Sequence, residues 1–132
     1  MIRVFKSDII RELLSEDDLK NLDDEFKTYK ELGDLPETFG RDVLYDHPNT
    51  LPSVLQEEIS HIHLNDGETP WPFYKMQFQR TSDTHLVYCK ASMEDDCYLL
   101  MTILKPNAHE LSKGRDLMWK LASMAEKFRN KF

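Results

Sequence analysis

Residues 97–104, CYLLMTIL, are apolar at nearly every position, so a strand built from them has no face to give to water. Such a strand must lie inside a sheet that is covered on both sides. The preceding run, HLVYCKA from His85 to Ala91, has the same β-branched and aromatic character, and the acidic patch from Met93 to Asp96 reads as a turn. The two runs predict a β-hairpin in a central sheet, with Leu99, Met101 and Ile103 on one face and Leu100, Thr102 and Leu104 on the other. Polar residues gather at its ends: Arg80, Asp83 and His85 before the first strand, Lys105 and His109 after the second. Antiparallel pairing returns the exit of the second strand to the start of the first, so these side chains converge on one end of the sheet.

Around the hairpin, Ile2 to Lys6 (IRVFK) alternates and predicts an opening strand. Ser15 is placed as an N-cap, Glu16, Asp17 and Asp18 suit the positive end of a helix dipole, and Leu19, Leu22, Phe26 and Tyr29 recur at helical steps until Gly33. A helix over 15–32 follows. Residues 33–53 hold two glycines and three prolines, which predicts a loop with short helical pieces. Within it Arg41 and Asp42 can form an ion pair, and Tyr45 and His47 are candidate loop contributions to a site. The segment Val54–Leu64 ends in a strand, ISHIHL, on which His61 and His63 share a face. From Leu111 to Phe132 the apolar residues define one side of an amphipathic C-terminal helix, with Lys113, Lys120 and Lys127 seven apart as a basic stripe. The expectation is one α+β domain over residues 1–132: an antiparallel sheet of about four or five strands, an N-terminal helix and a C-terminal amphipathic helix.

The net charge of −7 conceals an asymmetry. Residues 1–65 carry 7 basic and 15 acidic side chains, whereas residues 105–132 carry 7 basic and 3 acidic. Tight, non-specific RNA binding by the free chain is disfavoured, because neutralisation of phosphate dominates that affinity. A local anionic contact remains open to Lys113, Lys120, Lys127 and Arg129. No apolar run approaches the roughly 20 residues that cross a bilayer, and MIRVFKSDII lacks the apolar core of a signal peptide. A cytoplasmic protein without membrane contact is expected. Cys89 and Cys97 form neither a disulfide framework nor a CxxC metal pair, so two reduced, packed thiols are expected.

The residues at the hairpin ends suit phosphodiester cleavage without a metal or other cofactor. That reaction needs a base for the ribose 2′-OH, an acid for the leaving 5′-oxygen, and fixed positive charge on the phosphate. Histidine serves either proton role near neutral pH, and arginine or lysine supplies the charge. His85 and His109 are the candidates for proton transfer, Arg80 for holding the phosphate and Lys105 for charge stabilisation, with His61 and His63 in second rank. Two histidines with no third ligand at motif spacing predict no metal centre; a metal enzyme built on them would be sensitive to chelators. The alternative from another class is a non-catalytic module that binds the ribosome or a protein through the basic C-terminal helix.

The chain resembles the YafO family of type II toxins. The stretches that carry the likeness are RVFK, YKELGDLP, FGRDVLYD, ISHIHL, FQRTSDTHLVYC, LLMTILKPNAH and MAEKFRNKF, in order along nearly the whole chain. RTSDTHLVYC followed by LLMTILKP is also similar, more distantly, to the core strands of RelE and YoeB toxins. The resemblance implies a RelE-like fold and a ribosome-dependent mRNA endoribonuclease that arrests translation and is held inactive by a cognate antitoxin. In the YoeB-like pattern an arginine directly before Leu-Val-Tyr contacts the scissile phosphate. Here His85 occupies that place, and the role passes to His85 or Arg80. The His-Tyr pair that ends the YoeB-like chains is absent, and His109 stands as its replacement.

Overall fold

In the computed structural model, which describes residues 1–65, 67 and 69–132, the chain is α+β around one five-stranded sheet. The strands are β1 (Arg3–Lys6), β2 (Phe39–Leu44), β3 (Ser60–Leu64), β4 (His85–Lys90) and β5 (Cys97–Leu104), in the order β1-β5-β4-β3-β2. The helices are α1 (Asp8–Leu13), α2 (Glu16–Leu32), α3 (Pro52–Gln56), α4 (Ala108–Leu111) and α5 (Arg115–Lys131). A 3₁₀ turn covers Gln77–Gln79.

The hairpin stands as expected, with β4 antiparallel to β5 and His85 opposite Leu104. The sheet as a whole is mixed and not purely antiparallel, because β1 runs parallel to β5, Arg3 opposite Cys97 and Lys6 opposite Leu100. That pairing joins strands far apart in the chain, so no turn residue announces its direction. Both faces of β5 are covered. On one, Ile10 of α1 and Leu19 and Phe26 of α2 pack on Ile62, Leu86, Tyr88 and Leu100. On the other, Met118, Leu121, Ala122, Ala125 and Phe128 of α5 pack with Val87, Cys89, Leu99 and Met101. Strict alternation fails after Met101, where the ladder shifts: Val87 pairs with Thr102 but Tyr88 with Leu100. The extra residue turns Ile103 toward α1 and α2 and Leu104 toward α5.

Ser15 Oγ accepts the Asp18 N–H at 3.1 Å and Gly33 closes α2 at φ 75°, so both caps of that helix lie where the sequence puts them. The C-terminal helix begins at Arg115, with Lys113 in the turn before it, so only Lys120 and Lys127 of the basic stripe ride on α5. Cys89 faces Leu99 across the hairpin and both thiols are free and buried.

Residues 39–44, expected as loop, are the edge strand β2. Its signal is masked by Gly40 and by a register shift between Phe39 and Asp42. The glycine has a packing reason: an ideal Cβ there would lie 2.2 Å from the Arg80 carbonyl oxygen and 2.9 Å from Arg80 Cβ. The Arg41 N–H donates to that same carbonyl at 2.8 Å, which pins the 76–81 segment to β2. Gly40→Ala is expected to cost about 1–3 kcal/mol, read as a lowered urea midpoint, because backbone cannot yield as a flexible side chain does. An unchanged midpoint would mean the two segments separate freely.

Candidate active site

On β3 the side-chain period of two puts His61 and His63 on one face, and antiparallel register sets His85 of β4 directly opposite His63. The three rings form one cluster, with centroids 4.4 Å apart for His61–His85 and His63–His85 and 5.1 Å for His61–His63. Tyr45, one residue beyond β2, continues the ladder through its N–H to the Ile59 carbonyl. Its ring stacks on His61 at 3.9 Å and its hydroxyl meets His85 Nδ1 at 2.9 Å. His63 Nδ1 lies 2.8 Å from the Ser82 N–H nitrogen and 2.9 Å from the Ser82 carbonyl oxygen, so its tautomer selects between the two bonds.

All three imidazoles are buried, at 7%, 9% and 4% exposure for His61, His63 and His85. Burial is the main force on their protonation, since a desolvated imidazolium is costly. It pushes His61 down to about 3, helped by the positive charge of His85, His63 and Arg41. It pushes His85 down to about 4, helped by His63 and opposed by Asp83. His63 is also lowered, with the Ser82 backbone opposing. At pH 7 the cluster is therefore neutral. Tyr45 keeps its proton too, because burial raises its phenol. Two ring nitrogens, His61 Nδ1 and His85 Nε2, are buried with no hydrogen-bond partner among the described residues. An unsatisfied buried polar atom costs about 1–3 kcal/mol, so the cluster is a liability to the fold at rest.

The cluster opens into a cavity of about 750 Å³. Arg41, Tyr45, His47, His109, Lys113 and Arg115 line it together with the histidines. Arg41 and Asp42 do not pair with each other. As neighbours on a strand they point to opposite faces: Asp42 accepts from the Tyr29 hydroxyl at 2.7 Å, the Tyr88 hydroxyl at 2.6 Å and Lys30 Nζ at 3.3 Å under the sheet. Arg41 faces the cavity, its Nε donating to the Phe78 carbonyl at 2.6 Å and its guanidinium lying 3.9 Å from the Phe78 ring centroid. That leaves a held cation with donors to spare beside the histidines.

The residues picked from the sequence scatter more than expected. His85, His61, His63, His109 and Lys113 all border the cavity. His109 is exposed at the first turn of α4, its N–H donating to Asp83 Oδ1 at 2.9 Å. Arg80 lies outside the lining, its Nε donating to the Lys75 carbonyl at 3.1 Å, and Lys105 is exposed outside it as well. Arg129 sits in the joint between α5 and α3, bonded to Glu58 at 3.0 Å and to the Gln56 carbonyl at 3.2 Å and 3.5 Å from Glu57, with its side chain 13% exposed. A side chain so engaged has little left for RNA. Lys120 and Lys127 stand exposed on α5. Arg41 was missed as a site residue because β2 was missed. Its place on the histidine face follows once Val43 is set opposite His61.

A sequence model of the family described as Toxin YafO, type II toxin-antitoxin system, matches residues 27–130. The mRNA interferase toxin YafO of Escherichia coli (strain K12) is 43% identical to this chain over 132 residues, covering 99% of the chain and 100% of that protein. No solved structure matches significantly.

Proposed function

The chain belongs to the YafO toxin family of type II toxin–antitoxin systems, and we propose that it is an mRNA interferase that cuts mRNA on the ribosome by attack of the ribose 2′-oxygen. Membership implies an antitoxin as the protein partner. The observation that carries the chemistry is the convergence of three neutral imidazoles, His109 and the Arg41 guanidinium on one cavity.

In this reading the 2′-OH gives its proton to His85, the 2′-oxygen bonds to phosphorus, and the P–O5′ bond breaks. The leaving 5′-oxygen takes a proton from His109, giving a 2′,3′-cyclic phosphate and a 5′-hydroxyl end. Arg41 holds the phosphate as charge builds on its oxygens. A histidine held down near 4 is a weak base on its own. An incoming phosphate reverses part of that shift, because a nearby negative charge favours the imidazolium. Orientation supplied by the ribosome offsets more of the barrier. The ribosome also answers the charge problem: at −7 the free chain is a poor ligand for naked RNA, whereas Lys113, Lys120 and Lys127 suffice as local contacts to ribosomal RNA in the cytoplasm.

Primer extension on an mRNA in a purified translation system, with and without ribosomes, tests this. New 5′ ends are expected only with ribosomes, and His85→Ala is expected to lower their rate of appearance by about 10²–10⁴-fold. Translation arrest without new ends would instead leave a ribosome-binding protein that acts through Lys120 and Lys127.

A further inference from the structure

Cleavage needs one base and one acid, and the cavity holds buried imidazoles beyond that need. His61, His63 and His85 each offer a ring nitrogen to a common space, the three atoms lying within 4.8 Å of one another. Two of the rings are tied from behind: His85 Nδ1 by the Tyr45 hydroxyl and His63 Nδ1 by the Ser82 carbonyl, both at 2.9 Å. With Nδ1–H donating in each, which for His63 is the tautomer that bonds the Ser82 carbonyl and gives up the 2.8 Å bond from the Ser82 N–H, Nε2 carries the free lone pair. On the inner side, His85 Nε2 and His61 Nδ1 are buried and make no hydrogen bond among the described residues. Outer bonds that fix tautomer and ring plane, with lone pairs left converging inside, are how metal-ligating histidines are held. Hydrogen bonds among the rings do not replace this, since two of the inward nitrogens find no donor.

We infer that His61, His63 and His85 form a reversible site for a divalent transition-metal ion of the Zn²⁺ class, with a fourth position open to the cavity, and that the bound ion switches cleavage off. Three neutral nitrogen ligands suit Zn²⁺, and imidazole also takes Ni²⁺ and Cu²⁺, whereas Mg²⁺ and Ca²⁺ require oxygen. Tetrahedral bonds of about 2.0–2.1 Å place ligand nitrogens about 3.3 Å apart, so the rings draw inward on binding by side-chain rotation while β3 and β4 keep their register. The ion takes the lone pairs that proton transfer requires, and its charge opposes protonation of any ring beside it. The inhibitory half of the inference rests on the proposed cleavage chemistry; the binding half does not.

The test is calorimetric titration of ZnCl₂ into the purified chain after stripping with chelator, followed by the ribosome-dependent cleavage assay on stripped and loaded protein. One ion per chain is expected, with affinity lowered roughly 100-fold or more in His61→Ala and in His63→Ala and unaltered in His109→Ala. Should either alanine variant fail to fold by circular dichroism, the corresponding glutamine variant takes its place. Stripped protein that cuts and loaded protein that does not would support the whole inference. No binding by wild type, or equal binding by the variants, overturns the site. Cleavage that persists or rises with the ion bound overturns the switch. If stripped and loaded protein both fail to cut, the nuclease reading falls, and the titration still decides the metal site.

Discussion

Arg41→Ala is expected to lower the proposed ribosome-dependent cleavage by about 10²–10³-fold while Arg80→Ala is expected to stay within about threefold of wild type, as counted by the rate at which new 5′ ends appear in primer extension. The sequence put Arg80 forward for the phosphate, but its guanidinium turns to the Lys75 carbonyl and lies outside the cavity. Arg41 lines the cavity, and its charge is felt at His61 and His63. The Phe78 carbonyl and ring hold it, so little side-chain freedom is lost when a phosphate arrives. Arg41→Lys separates charge from geometry. A lysine keeps the charge but neither the planar fork nor the stack on Phe78, so recovery to within roughly tenfold of wild type is expected. Equal losses for Arg41→Ala and Arg80→Ala would place the phosphate nearer the 76–81 segment than the histidines.

What the sequence made legible is what local signals specify. The helix of residues 16–32 is written in Ser15, its acidic first turn and Gly33, and the hairpin in two apolar runs around an acidic turn. The family was legible too, from collinear blocks now matched over most of the chain. Long-range pairings were not. Strand β1 pairs with β5 across most of the intervening chain, and β2 hides a glycine that is small because Arg80 crosses it. The candidate site suffers most from this. His61 and His63 share a face in the sequence, yet their third neighbour, His85, arrives through the long-range β3–β4 register, which local sequence does not specify. Tyr45 and Arg41 then depend on β2 pairing with β3. Each residue was visible, but their common cavity is a property of the sheet.

Acidification exposes what that cavity costs the fold. Lowering the pH from 7 to 4.5, with chelator present, is expected to reduce the stability of the chain through the histidine cluster by about 3–5 kcal/mol. An unfolded histidine titrates near 6.5, whereas His61 and His85 in the folded chain are held down to about 3 and about 4. Between those values the unfolded state binds more protons than the folded one, so stability falls as pH falls through 6.5 and the loss ends only below the folded values. His63 acts in the same direction. Each unit of pH in that window is worth about 1.4 kcal/mol per group, and the rings are too buried for solvent to screen much of it. Paired carboxylates also weaken the fold in acid, so the measurement is a difference: urea midpoints at the two pH values for wild type and for His61→Leu. The variant is expected to lose clearly less on acidification, and to be no less stable than wild type at pH 7, because the leucine removes a buried nitrogen that has no partner. Identical pH dependence would mean that His61 reaches water in the folded chain. Retained stability in the leucine variant would show that the cluster is not there for packing; it opens onto the same cavity as Arg41 and His109, where protons and phosphate are handled in the proposed reaction.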